Sequence, residues 1–375
     1  MPSSGRGGVV KALVAVLAIT PAMMSGAAVV EAQVVDPRLA AAQAFIAEEM
    51  PGVAPGLLEA ACKDATVMLY YGTWIDAQKK QIEGFRKRFP CVDVKTFTAN
   101  TGERRERWLA ETRAGRHIAD IVQETESGLL DQWADGGLLL AFPISNDAAF
   151  QGSAKKAPYW YGLRAAMVGA AWNTDLVSEA DAKVLADWSG IADPRWKDRA
   201  AVVDPSAGGV AYLPWYIWSK LYGPEFLGRI GALRPRIFVS INVAAAALAS
   251  GDIAVVLNAS ETGLLPLQQR GAPIRWSMPT PGIGPMTGQA IAGHAPHPNA
   301  ARLYQEYSFT REGYGLWQKE GGAPVRSGFK DLRPVAAQPW YKLPDTFHDY
   351  DRADATKAER EITELYHTHI GRLKK

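Results

Sequence analysis

Asp204-Pro205-Ser206-Ala207-Gly208-Gly209 lies between the apolar run Ala200–Val203 and an aromatic stretch that begins at Tyr212. It offers a carboxylate, a hydroxyl and free backbone amides, which suit a nucleophilic serine, an anion cradle or a helix cap. A serine enzyme needs companions. Ser153-Ala154-Lys155-Lys156 supplies Ser-x-x-Lys, but Ser-Asp-Asn and Lys-Thr-Gly are missing, Ser145-Asn146-Asp147 reverses the last two residues of the former, and no Gly-x-Ser-x-Gly occurs. Ser153 therefore reads as a loop residue. His294-x-x-His297 and His367-x-His369 are the close histidine pairs, with His117 and His348 apart. A zinc site wants three or four ligands with a supporting shell, so these read as surface histidines. Gly282 to Gly288 misses the dinucleotide spacing and contains Pro285. No catalytic residue, no metal site and no cofactor is expected, and the protein reads as a binder rather than an enzyme.

The remaining candidates are aromatic and hydrogen-bonding. Tyr71 and Trp74 follow one strand pattern, Thr101 and Glu124 follow two others, and Ser206, Gly208, Gly209 and Tyr212 cluster after a fourth. Asn242, Ser260 and Glu261 complete the set, with Trp215 three residues beyond Tyr212 as a further wall. Aromatic faces with a few polar groups suit a small organic solute. The amides of Gly208 and Gly209 at a helix start favour an anion, whereas Glu124, Glu126 or Glu261 beside an aromatic ring would suit an ammonium group. The sign of the ligand charge stays open. Tyr70 and Tyr71 are adjacent on a strand and point to opposite faces, one to a core and one to a cleft.

The elements that must position these residues alternate. Thr66–Gly72 is followed by a helical stretch from Asp76 to Phe89 with Ile82, Phe85 and Phe89 on one face, then Val92–Phe97, a helix from Gly102 to Gly115, the strand Ala119–Gln123 and a helix around Gly128 to Ala134. That βαβαβ order implies a parallel sheet covered by helices. The long apolar segment Tyr159 to Val177 can pass from one domain to another. A second series follows through Ala200–Asp204, Arg236–Ser240 and Asp252–Asn258, before the Pro/Gly-rich stretch 279–285 and a return at Gly288–Gly293. The fold class is α/β, two Rossmann-like βα lobes hinged by two crossing segments. In open α/β sheets ligands bind beyond the carboxyl ends of strands, where all the candidate residues fall.

Composition adds limits. The 375 residues are 47% apolar with a formal charge of +2, enough for two cores and without the basic field of a nucleic-acid binder. Arg6 and Lys11 precede the apolar run Ala12–Met24, and Val30-Glu31-Ala32 ends it, so 1–32 reads as a signal peptide cleaved after Ala32. Cys62 and Cys91 each stand just ahead of a strand; were those strands parallel neighbours, a disulfide could join them in an oxidising compartment.

In order and spacing, YYGTW, ADIVQETES, AAWNTDLV, WKDRAAVVDPSAGG, ALASGDIAVVLN and HPNAARLYQEYSFTREGYGLW resemble type II periplasmic solute-binding proteins of ABC importers, in the branch of ferric-iron, polyamine and small-anion binders. The resemblance implies a periplasmic monomer that captures a small solute in an interlobe cleft and delivers it to inner-membrane permease subunits. The chain then divides into a lead-in over 33–64, a first lobe at 65–167 and 287–327, a second lobe at 168–286 and a C-terminal extension at 328–375 packed on a lobe. Ferric relatives place two tyrosines where this chain has Ser260-Glu261, and a histidine where it has Trp74. A hard ferric ion prefers phenolate and anionic oxygen ligands, so iron is the lesser alternative. A binding module reporting to a receptor would use the same cleft.

Overall fold

A computed structural model describes residues 37–371, apart from positions 73, 100, 208 and 320–321. The expected signal peptide and Gly208 lie outside the described residues. Helices α1 (Pro37–Glu49) and α2 (Leu57–Asp64) lead into β1 (Thr66–Tyr71), α3 (Ile75–Arg88), β2 (Asp93–Thr98), α4 (Thr101–Arg113), β3 (Ile121–Glu124) and α5 (Ser127–Asp135). After β4 (Lys155–Lys156), β5 (Trp160–Ala165) and β6 (Val168–Asn173) come α6 (Glu179–Ala182), β7 (Ala200–Val203), α7 (Gly209–Tyr222), α8 (Glu225–Ala232), β8 (Arg236–Phe238) and α9 (Ile241–Ser250). The chain continues through β9 (Val255–Ser260), α10 (Glu261–Gln269), β10 (Ile274–Ser277), β11 (Met286–Ile291), α11 (Pro298–Ser308), α12 (Arg311–Gln318) and α13 (Arg352–His369).

Two sheets result. The first has the order β2-β1-β3-β11-β5-β4, with β1 parallel to β2 and β3, and β11 antiparallel to β3 and β5. The second has the order β10-β6-β9-β7-β8, with β7 parallel to β8 and β9. Alternation along β1 sends Val67, Leu69 and Tyr71 into one apolar layer with Phe45, Ile82, Phe85, Phe89 and Tyr307, and Tyr70 into the layer on the other face. The expected apolar face of α3 is thus the one that covers the sheet. Cys62 and Cys91 form a disulfide whose Cα atoms are 5.1 Å apart, placed by the parallel pairing of Thr66 with Asp93.

The apolar run from Tyr159 to Val177 breaks at Ala166–Met167, leaving β5 in the first sheet and β6 in the second. The returning stretch runs beside it: the Ala166 N–H donates to Pro285 O at 2.9 Å and the Val168 N–H to Ile283 O at 2.8 Å. A third passage joins them. The segment after α12 crosses from the first sheet to the second, where the Gly282 N–H donates to Thr346 O and the His348 N–H to Gly282 O. It ends in α13, which lies on α7 and α8 and touches α5.

An amide network holds the first lobe's helices to its sheet. Gln123 Nε2 on β3 donates to Gln78 Oε1 at 2.6 Å and to Gln289 Oε1 on β11 at 2.9 Å, and Gln289 donates onward to Gln305 on α11 at 3.0 Å. All four glutamines are buried, so each amide must find its partners inside the protein.

Candidate functional site

Several of the candidate side chains at the strand ends are already engaged. Asp204 Oδ1 accepts from the Ser206 N–H at 2.9 Å and from its hydroxyl at 2.6 Å, closing the turn on itself before Gly209 opens α7. The Ser206 side chain is exposed, and its hydroxyl already donates to Asp204. Tyr212 and Trp215, expected as walls beside it, instead seat α13. The Tyr212 hydroxyl donates to Ala355 O at 2.6 Å, and the Trp215 ring meets Tyr366 edge-on at 4.8 Å. The physical reason is burial: two large rings on α7 gain more by covering an apolar helix face than by lining a wet opening.

Tyr71 is 3% exposed within the apolar layer, and Tyr70 donates to Glu111 Oε2 at 2.9 Å, so neither faces a cleft. Burial, reinforced by Glu111, pushes the Tyr70 phenol up to about 12. Glu124 accepts two hydrogen bonds from Arg105, at 2.9 and 3.0 Å, and more from the Thr125 and Glu126 N–H groups. Its charge is met locally. Thr101 opens α4 half-buried, and Asn242 is exposed in the first turn of α9. The Ser260 hydroxyl pairs with that of Thr262 at 2.8 Å. Ser153 is buried with a hydroxyl that finds no partner among the described residues, and Lys155 and Lys156 pair with Asp147 and Asp135 rather than with the serine. His297 Nδ1 lies 2.9 Å from Asp120 Oδ2, and His294 packs against His117.

Glu261 is the predicted residue with the most consequential surroundings. Its Oε2 accepts from Arg333 Nη1 at 2.6 Å and its Oε1 from the Tyr341 hydroxyl at 2.7 Å, both partners coming from the C-terminal segment. Arg333 also grips Asp331 through Nε at 3.0 Å and Nη2 at 2.7 Å. Burial works against the Arg333 charge, but Glu261 and Asp331 outweigh it and raise its pKa. On the other side stands Arg164 of β5, 6% exposed, with Trp74 facing its guanidinium 5.2 Å from the ring centroid. Trp74 is half-buried in a left-handed conformation, φ 55°, at the start of α3. Just before it, Gly72 passes so close to Ala99 O that a Cβ would sit 1.7 Å from that oxygen, which fixes glycine at the end of β1.

Arg164, Arg333 and Tyr341 are missed by sequence reasoning. Arg164 is the single charged residue between Tyr159 and Asn173. That isolation is the signal that could have found it, because a lone arginine in a buried strand requires a partner or a purpose.

Comparison with protein-family models and with curated proteins gives no match. Among solved structures, iron-bound HitA from Pseudomonas aeruginosa is 21% identical with a TM-score of 0.61, the likeness covering 80% of this chain and 99% of HitA. A Bordetella ferric binding protein is 20% identical with a TM-score of 0.67, covering 81% and 98%. AfuA from Actinobacillus pleuropneumoniae, a periplasmic binding protein with fructose-6-phosphate bound, is 17% identical with a TM-score of 0.56, covering 81% and 98%. The fold of this chain is that of the two-lobed type II periplasmic binding proteins.

Proposed function

We propose that the protein is the periplasmic solute-binding component of an ABC importer, a monomer released from its signal peptide after Ala32. It would close two lobes, 65–167 with 287–327 and 168–286, over a small solute and present it to membrane permease subunits. The observation that carries this reading is the paired passage of Ala166–Val168 and Ile283–Pro285 between two βα sheets of this fold, which lets the lobes rotate about adjacent hydrogen-bonded segments. Trp74 and Arg164 on the first lobe, with Thr101, Asn242 and Ser260 near the other strand ends, are the leading contacts. Glu261, which the sequence resemblance sets where ferric relatives have a tyrosine, carries an internal ion pair, and this favours an organic or anionic solute over a metal ion.

A thermal-shift screen of organic acids, phosphates, amines, sugars and ferric salts tests the reading. A solute at 100 times its dissociation constant should stabilise the fold by about 2.7 kcal/mol and, in small-angle scattering, reduce the radius of gyration. Absence of a shift with every class would remove the binding-protein reading. A strong shift with ferric salt alone would favour iron.

A further inference from the structure

β5 holds a buried cation whose Nε and Nη1 no acceptor answers among the described residues. Arg164 Nε and Nη1, three N–H donors between them, are buried and have no hydrogen-bond partner among the described residues. Other buried arginines show the ordinary solution: Arg104 donates to Gln123 O at 2.9 Å, and Arg333 binds two carboxylates. Glu261 is near enough to favour the Arg164 charge, yet both of its oxygens are committed to Arg333 and Tyr341. Burial, only partly offset by Glu261 and compounded by Arg333, drives the Arg164 pKa down to about 10.

The side chain is held in place despite this. A Cβ on Gly322 would come within 2.5 Å of Arg164 Cδ and 3.2 Å of Nη1, so glycine there leaves room for the arginine stem. The Trp74 ring faces the guanidinium at 5.2 Å from its centroid, and Thr287 is the register partner of Arg164 on β11. An uncompensated buried guanidinium is costly, and three unmade hydrogen bonds add to that cost. Retaining one beside the crossing, with an aromatic ring over it and Glu261 near enough to act on its charge but already committed elsewhere, is the arrangement of a site whose acceptor arrives with a ligand.

We infer that Arg164, with Trp74, is the oxyanion subsite of the interlobe cleft, taking a carboxylate or a phosphate-type group of the solute. This assignment rests on the solute-binding reading above and narrows its substrate class to anions. The shared chemistry is a planar or tetrahedral group of anionic oxygens matched to guanidinium donors.

The test titrates the full mature chain with inorganic phosphate and, separately, malonate, following melting temperature at constant ionic strength with chloride as control. Wild type should show a saturable rise with at least one of the two, and which one responds separates phosphate from carboxylate. Arg164→Gln should bind that anion about tenfold more weakly or worse, the scale of a lost hydrogen bond to a charged group, and should melt no lower than wild type in anion-free buffer. Should Arg164→Gln not fold, Arg164→Lys keeps the charge and loses the fork, and the same weakening is expected. An unchanged anion affinity in the variant overturns the assignment. So does an amine or neutral sugar that stabilises wild type and Arg164→Gln equally while phosphate and malonate do nothing, and that outcome leaves the solute-binding reading intact. Silence from every solute class defeats both.

Discussion

Arg333 of the C-terminal segment donates to Glu261 of the second lobe at 2.6 Å, with side chains only 2% and 5% exposed. The pair ties the segment following α12 to the first turn of α10. Removing one partner of a buried pair leaves the other charge stranded. Arg333→Met should therefore destabilise the protein by about 3–5 kcal/mol in urea denaturation, and adding Glu261→Gln should recover much of the loss. Strictly additive single and double variants would show that the pair does not act as a unit.

The Cys62–Cys91 disulfide closes a loop with a sequence separation of 29 and staples α2 to the start of β2. In the chain-entropy account a loop of that size contributes about 3–4 kcal/mol. Cys62→Ser with Cys91→Ser should lower the unfolding midpoint accordingly. A loss below about 1 kcal/mol would mean that the unfolded chain is already restrained there by other contacts.

Gln289 accepts from Gln123 and donates to Gln305, each fully inside the first lobe. Among the described residues Gln123 Oε1 already lacks a partner, so the network carries one unmade hydrogen bond before any substitution. Gln289→Leu matches the volume but strands amides on two neighbouring elements, and about 1–3 kcal/mol of stability should go with it. Calorimetry would read the loss; an unchanged melting temperature would mean water replaces the amide.

What the sequence makes legible and what it hides divide along contact range. Local period places β1, the buried face of α3 and the alternation of strands and helices, because Ile82, Phe85 and Phe89 lie within eight residues of one another. The disulfide is legible only as a condition, since it needs β1 and β2 to be parallel neighbours, and that pairing is supplied by the structure. Tyr71 and Tyr212 mislead because an aromatic ring suits a core as well as a ligand wall, and only the partner decides: Ala355 lies 143 residues from Tyr212. The clamp on Glu261 is equally remote, since Arg333 is 72 residues away in a Pro-rich stretch with no helical or strand period. Arg164 sits inside a run that reads as an uninterrupted apolar strand, so the residue most exposed to chemical demand is the one periodicity conceals.

Glu306 on α11 gives the fold a definite pH dependence. It is 2% exposed, and burial raises its carboxyl from 4.5 to about 7, although the Ser145 N–H donates to both oxygens at 3.0 Å and opposes the shift. Between these values the folded chain holds a proton that the unfolded chain releases, so stability falls as pH rises through that window. The contribution is complete below about pH 4.5 and gone above about pH 7. Glu306→Gln cannot ionise and still accepts from Ser145 through its amide oxygen. The variant should match wild type near pH 4 and exceed it at pH 8, by up to about 3 kcal/mol, flattening the slope between. Denaturant melts of both proteins from pH 4 to 8 decide the matter: curves that stay parallel across the window would assign the pH dependence to other groups.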